Sequence, residues 1–286
     1  MAVAALVGGL AGCQTPPEPV PPPPAPVPRR PRIGLALGGG AARGFAHIGV
    51  IQALEDTGLR PDLVVGTSAG SLVAALYASG RSGRELHDMA LTMDESALTD
   101  WAFPGRGVLR GEALARYVRE ATGGLLIEQM KMPLGIVATE LETGAPVLFR
   151  RGDTGTAVRA SSAVPAVFQP VRINGREYVD GGLVSPVPVR FARQMGAELV
   201  IAVDISSAPE GNATSDAVRM LLQTFTIMGR SINELELRDA DIVVRPGLAG
   251  ISGADFTARE RVMQAGRDAA RRQWPALQAR IAALMR

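Results

Sequence analysis

The chain has 286 residues, 47% hydrophobic and 20% charged, with 30 basic against 28 acidic side chains. It is long enough to bury a full core, and its composition excludes a disordered or collagen-like chain. A formal charge of +2 without a basic run interleaved with aromatics gives no footing for nucleic-acid binding, while one cysteine, Cys13, and two histidines, His47 and His87, exclude a cysteine-based zinc site and leave little for a histidine metal site.

Ten of the 21 prolines lie between Pro16 and Pro31. They divide the chain into a tail over 1–13, a stiff spacer over 14–31 and one domain over 32–286. The tail is small and apolar from Ala2 to Leu10 and ends in Leu10-Ala-Gly-Cys13. This resembles the lipobox of bacterial lipoproteins, in which the cysteine is lipidated and becomes the mature N-terminus. The resemblance implies a signal peptide over 1–13, lipidation at Cys13 and a domain held at the cell envelope facing the periplasm. Gln14 follows the cysteine in place of the aspartate that in many Gram-negative lipoproteins signals inner-membrane retention, so the outer membrane is the expected location. The tail departs from a full signal peptide in two respects. No Lys or Arg precedes its apolar run, and the run is short; a start further upstream would repair both. A disordered tail on a cytoplasmic protein is the alternative. No other stretch reaches the ~20 apolar residues of a spanning helix. The spacer favours polyproline II at about 3.1 Å per residue, a reach of roughly 55 Å.

Arg32–Leu37 reads as a buried strand opening into Gly38-Gly-Gly-Ala-Ala-Arg-Gly44, and Phe45–Thr57 has helical spacing closed by Gly58. A glycine turn between strand and helix presents backbone N–H groups to negative charge. A dinucleotide fingerprint needs glycine where Arg43 stands, and a Walker loop needs a Gly-Lys pair, whereas the only lysine is Lys131. With nucleotides set aside, the charge to be held is expected to be a transient oxyanion, with a plain structural turn as the alternative.

A second strand, Asp62–Val65, runs into Gly66-Thr-Ser-Ala-Gly70, with a helix over Ser71–Ala78. This is G-x-S-x-G in the strand–turn–helix context the motif requires, and it makes Ser68 a candidate nucleophile. A Ser-Asp-His triad in that chain order is excluded, because no histidine follows His87. His47 reads as a packed or capping residue, and His87 lies on a solvated helix. Leu134–Phe149 reads as a hairpin turning at Glu142-Thr-Gly144. Phe168–Ile173 reads as a strand, and after the turn Asn174-Gly175 a short strand ends in Asp180-Gly-Gly182. Alone, Asp-Gly-Gly is ordinary hairpin sequence. Beside a serine elbow without histidine, its carboxylate becomes the candidate base. Further strands are expected at Glu198–Asp204 and Asp241–Arg245, with a polar loop over Ser206–Ser215. The helix over Ala217–Leu237 carries Leu221, Phe225, Met228, Ile232 and Leu235 at heptad-like spacing, a stripe expected to face the core, with a dimer or membrane face as alternative. Thr257–Met285 is helical, with a break or kink at Pro275.

Three blocks in this order, Gly38–Gly44, Gly66–Gly70 and Asp180–Gly182, resemble those of bacterial patatin-like phospholipases. The likeness extends through Phe45-Ala-His-Ile-Gly-Val50 and Ala160-Ser-Ser-Ala-Val-Pro165, covering about residues 32–245. The resemblance implies an α/β fold, a three-layer α/β/α sandwich, with Ser68 as nucleophile, Asp180 as general base and an oxyanion hole from Gly38, Gly39, Gly40 and Ala41. Arg43, Gly44, Gly66, Gly70, Gly181 and Gly182 support these motifs, Arg43 by orienting the turn or meeting a phosphate, with a plain surface arginine as the alternative. Ala41 stands where the family pattern has glycine, which is harmless provided the turn does not require a positive φ there. The implied substrate is a phospholipid or other acyl-ester lipid at a membrane surface, with no metal, cofactor or nucleotide. Acyl transfer to an alcohol, and a non-catalytic envelope lipoprotein retaining the fold, are the alternatives. Thr99–Arg110, with Trp101 and Phe103 beside Pro104, Arg106 and Arg110, is expected to form an interfacial lip, against core packing of Trp101.

Overall fold

The computed structural model describes Ala4 and residues 29–94, 107–209 and 214–285. Cys13, the spacer up to residue 28, and Trp101 and Phe103 of the expected lip lie outside the described residues.

The strand β1 (Ile33–Leu37) passes through the glycine turn into α1 (Phe45–Asp56), and β2 (Leu63–Thr67) passes through Ser68 into α2 (Ala69–Ala78). Next come α3 (Gly83–Thr92), β3 (Gly107–Leu109) and α4 (Glu112–Ala121). The hairpin of β4 (Leu134–Glu140) and β5 (Pro146–Phe149) precedes α5 (Thr154–Ser161). Three short strands follow, β6 (Ala166–Phe168), β7 (Val171–Ile173) and β8 (Arg176–Asp180). The chain closes with α6 (Val189–Gln194), β9 (Leu199–Val203), α7 (Ala217–Glu236), β10 (Ile242–Val244) and α8 (Arg259–Ala283).

The main sheet runs β10-β9-β1-β2-β4-β8-β7, with β5 also paired to β4. The five strands from β10 to β4 are parallel, the arrangement expected when both faces are covered by helices. The alternation along β1 and β9 shows this directly. Leu35, Leu37, Ile201 and Val203 pack with α1, α2 and α8, while Ala36, Val200 and Ala202 pack with Phe191, Ala192 and Met195 at the other face. Leu35 and Ile201 are fully buried, and burial of such a side chain stabilises by roughly 1.5–3 kcal/mol. The result is the three-layer α/β/α sandwich.

Register places the site. On β4, Val137 pairs with Thr67 and Leu148, and the next residue, Ala138, pairs with Asp180 and Val147. One edge of β4 is therefore held by β5, and the other is shared end to end by β2 and β8. Because β8 runs antiparallel to β4 and β2 runs parallel, the C-terminal ends of β2 and β8 meet there.

The structure corrects three expectations. Phe168–Ile173 is two strands, because Pro170 interrupts the ladder and β6 pairs with β3 in a separate two-stranded sheet. α8 runs unbroken through Pro275. That proline is exposed, so the missing N–H lies on the solvent side, while Leu277 is buried and Trp274 packs on the core one turn away. The stripe of α7 is not core: Met228 and Leu235 are 51% and 63% exposed, and only Asn233 and Glu236 of this helix are buried. Among the described residues no helix is long and apolar enough to cross a membrane.

Candidate active site

The elbow forms because strand, turn and helix approach one another too closely for side chains. A Cβ on Gly66 would stand 2.3 Å from the Gly70 carbonyl oxygen, and one on Gly70 would stand 2.1 Å from that of Leu37. Between them Ser68 is forced to φ 53°, ψ −125°, a left-handed conformation costing of order 1–3 kcal/mol that persists only where its surroundings over-determine it. The Ser68 N–H donates to Ser161 Oγ at 2.9 Å, and its carbonyl accepts from Ser71 Oγ at 2.6 Å and Ser71 N–H at 2.8 Å. Thr67 Oγ1 donates to Ser185 O at 2.9 Å. Ser68 itself is half-buried at the N-terminus of α2, where the helix dipole favours developing negative charge.

Asp180 arrives from the opposite direction on β8. It is 6% exposed. Its Oδ1 accepts from the Gly182 N–H at 2.7 Å, and its Oδ2 has no hydrogen-bond partner among the described residues. Burial pushes the carboxyl up to about 6, against the opposing pull of the Ser68 hydroxyl and the Gly182 amide. The hydroxyl thus lies close enough to influence the carboxylate without a formed hydrogen bond, and such bonds tighten around substrate in many enzymes. Thr139 Oγ1 donates to the Asp180 carbonyl at 2.8 Å, and the Asp180 N–H donates to Ala163 O at 3.0 Å.

The glycine turn packs on the nucleophile. A methyl on Gly39 would stand 3.2 Å from Ser68 Cβ and 3.9 Å from its Oγ. Two of the four expected oxyanion donors are already committed: Gly38 N–H donates to Val203 O at 3.1 Å and Gly39 N–H to Pro186 O at 2.9 Å. Gly38 and Gly39 therefore shape the turn, and the amides left without a partner among the described residues are those of Gly40 and Ala41. Ala41 sits at φ 50°. The turn does require a positive φ there, and alanine accepts it at a cost of roughly 1–2 kcal/mol. Arg43 is buried, not a surface arginine, and its Nε donates to Gly40 O at 3.4 Å, which orients the turn.

His47 is fully buried, and its Nε2 lies 2.8 Å from Gly38 O. A carbonyl only accepts, so Nε2 carries the proton and holds the turn from behind. Burial pushes this imidazole down to about 4. His87 lies on α3 beside Asp88. Among the described residues neither histidine hydrogen-bonds with Ser68 or Asp180.

Sequence reasoning missed Ser161 as a site residue. Its Oγ accepts from Ser68 N–H and donates to Val137 O at 2.6 Å, and two residues on, Ala163 O receives the Asp180 amide. One segment thus holds both candidate catalytic residues. The available signal was Ala160–Pro165, a recognisable block to which no role had been given.

Residues 35–193 match the family model described as patatin-like phospholipase. An uncharacterized NTE family protein of Mycobacterium tuberculosis (strain ATCC 25618 / H37Rv) is 37% identical over 208 residues, 72% of this chain and 58% of that one. Patatin-like phospholipase domain-containing protein 6 of Homo sapiens is 36% identical over 186 residues, 62% of this chain and 14% of that one. The chain therefore spans less than two thirds of these curated relatives. Its fold is shared with the crystal structure of VipD from Legionella pneumophila, at a TM-score of 0.59 and 15% identity, covering 84% of this chain and 66% of that one.

Proposed function

The chain belongs to the patatin-like phospholipase family, and on that premise we propose that it is a serine acyl-ester hydrolase of lipids working through a Ser68–Asp180 dyad. The observation that carries the reading is the meeting of β2 and β8 on one edge of β4, which sets a strained serine beside a buried carboxylate with one oxygen unpartnered. An ordinary carboxylate, with a pKa near ~4, is a poor base for a hydroxyl. Raised to about 6, Asp180 is a better proton acceptor yet remains mostly ionised at neutral pH.

In the proposed cycle Asp180 Oδ2 takes the Ser68 proton as Oγ bonds to the ester carbonyl carbon. The oxyanion is met by the Gly40 and Ala41 amides and by the N–H of Ala69 at the start of α2. The intermediate collapses to an acyl-serine, the C–O bond to the alcohol breaks, and Asp180 returns its proton to the departing oxygen. Water, deprotonated by the same carboxylate, then releases the fatty acid. Loss of one oxyanion donor in such a site costs about 3–4 kcal/mol. Arg43 fixes the donor turn.

The test is a digest of extracted phospholipids and lysophospholipids by wild type and by Ser68→Ala, read by mass spectrometry. Free fatty acid released only by wild type is the expected result. Acyl groups appearing on an added alcohol acceptor in place of free acid would identify a transferase, and no turnover by wild type would contradict catalysis. From Leu10-Ala-Gly-Cys13 we propose lipid attachment at Cys13, and Cys13→Ala is expected to move the protein from the membrane to the soluble fraction.

A further inference from the structure

The two residues of the proposed dyad come from strands that lie end to end on β4, and among the described residues no ladder pairs β2 with β8. Their spacing therefore depends on what crosses between the strand ends. The side chain of Thr67, the residue before the nucleophile, does so. Its Oγ1 donates to Ser185 O at 2.9 Å, and its Cγ2 lies 3.2 Å from where a Cβ on Gly181 would stand. Thr67 is thus seated in the turn that leaves Asp180, and both Thr67 and Ser185 are fully buried.

Ser185 is where this turn is tied down. Its N–H donates to Gly181 O at 2.9 Å and closes the turn, its carbonyl accepts from Thr67, and its Oγ donates to Glu236 Oε2 at 2.7 Å. Glu236 ends α7 and is 8% exposed. Its other oxygen lies 3.0 Å from Arg190 Nε of α6, and Arg190 Nη2 donates to Val184 O at 2.9 Å. One carboxylate on α7 therefore holds two successive residues of the segment after Asp180, Ser185 directly and Val184 through Arg190.

Stability alone gives little reason for a charge at this position. Withdrawing a carboxylate from water is costly, and replacing a buried ion pair by apolar side chains of similar volume is often neutral or stabilising. Burial pushes the Glu236 carboxyl up, against the pull of Ser185 and Arg190, so these partners do not offset the whole cost. What directed bonds supply, and an apolar contact does not, is a single geometry. Here it is the geometry between Thr67 and the turn after Asp180. We propose that Glu236 and Ser185 are positioning residues: from α7 they clamp that turn onto the end of β2 and so set the approach of the Asp180 carboxylate to the Ser68 hydroxyl. Neither residue carries a proton or meets the ester in the proposed cycle. The inference rests on the dyad reading for its chemistry, but the clamp itself does not require turnover.

The test compares wild type with Glu236→Gln and with the double variant Ser185→Ala/Glu236→Met, in which Arg190, its side chain 46% exposed, can turn to water. On a soluble ester the double variant is expected to lose on the order of tenfold in kcat with KM within about twofold of wild type, because only the alignment of the dyad has changed. Its urea midpoint is expected to stay near that of wild type. Glu236→Gln keeps an acceptor for Ser185 Oγ and is expected to retain most of the wild-type kcat. A midpoint lowered in step with activity, a raised KM at unchanged kcat, or an equal loss in Glu236→Gln overturns the proposal. Exchange of the Gly182 amide, which donates to Asp180 Oδ1, is followed in the same proteins. It is expected to quicken in the double variant while the amides of β1 keep their protection, and an unchanged Gly182 rate overturns the clamp. If wild type does not cleave the ester, the hydrolase reading fails while the exchange still decides the clamp.

Discussion

Ser68 and Asn233 lie in regions that treat polar groups in opposite ways. Around Ser68, the backbone and hydroxyl groups of Thr67, Ser71, Thr139 and Ser161 are tied to one another or to main chain, while Asp180 Oδ2 and the amides of Gly40 and Ala41 have no partner among the described residues. Around Asn233 a whole side-chain amide has no partner among the described residues, and the helix that carries it leaves Met220, Ile227, Met228 and Leu235 in solvent. The first region is over-determined and so can hold a strained serine; the second leaves a buried amide unsatisfied beside an exposed apolar face and imposes no comparable constraint.

The comparison breaks first at the dyad. Ser68→Ala and Asp180→Asn are each expected to lower kcat at least ~10³-fold with the circular dichroism spectrum unchanged. A fully active Asp180→Asn protein would return the carboxylate to a structural role. Next in size is the elbow. Gly70→Ala pushes a methyl into the Leu37 carbonyl, and the displaced Ser68 should cost on the order of 10²-fold in kcat/KM, measured on a soluble ester.

The pH dependence of stability sets two buried titratable groups, Asp180 and His47, against each other. Asp180, raised from 3.8 to about 6, binds its proton more tightly when folded, so its contribution is greatest at low pH and is lost as pH rises towards 6. His47, lowered from 6.5 to about 4, does the reverse: its contribution is full above 6.5 and is lost as pH falls towards 4. Each amounts to something on the order of 3 kcal/mol, and the two oppose each other across the same interval. Asp180→Asn should therefore gain stability over wild type at pH 7, with the gain vanishing near pH 4. The deficit of His47→Gln should shrink as pH falls. Urea midpoints at pH 4.5, 5.5 and 7 check both slopes. The smallest effect is expected on α7. Leu235→Ser and Met228→Ser should move stability by no more than about 0.5 kcal/mol, against about 2–5 kcal/mol for Leu35→Ala, as read by thermal unfolding.

What could be read beforehand follows from how local each feature is. The strands at 33–37, 63–67 and 199–203 are short apolar runs between turn residues, and Ser68 sits in a motif whose glycines answer to contacts a few residues away. The convergence of β2 and β8 depends on register along β4, which no local pattern contains. The commitment of the Gly38 and Gly39 amides depends on Val203 and Pro186, far away in sequence. Helical periodicity on α7 identified the helix correctly but not what its apolar stripe meets, because periodicity defines a face and only tertiary packing covers it. Pro275 misled for the complementary reason: a proline rule describes the lost hydrogen bond, while Trp274 and Leu277 supply the packing that keeps the helix intact.

The account stands on Ser68 being activated by Asp180, and the most direct test is the rate at which a fluorophosphonate labels the protein as a function of pH. The expected result is one adduct, located on Ser68 by peptide mass, whose rate of formation rises through a single ionisation near pH 6 and keeps that profile in His47→Gln. An adduct on another residue, or an unchanged rate and pH profile in Asp180→Asn, would contradict it.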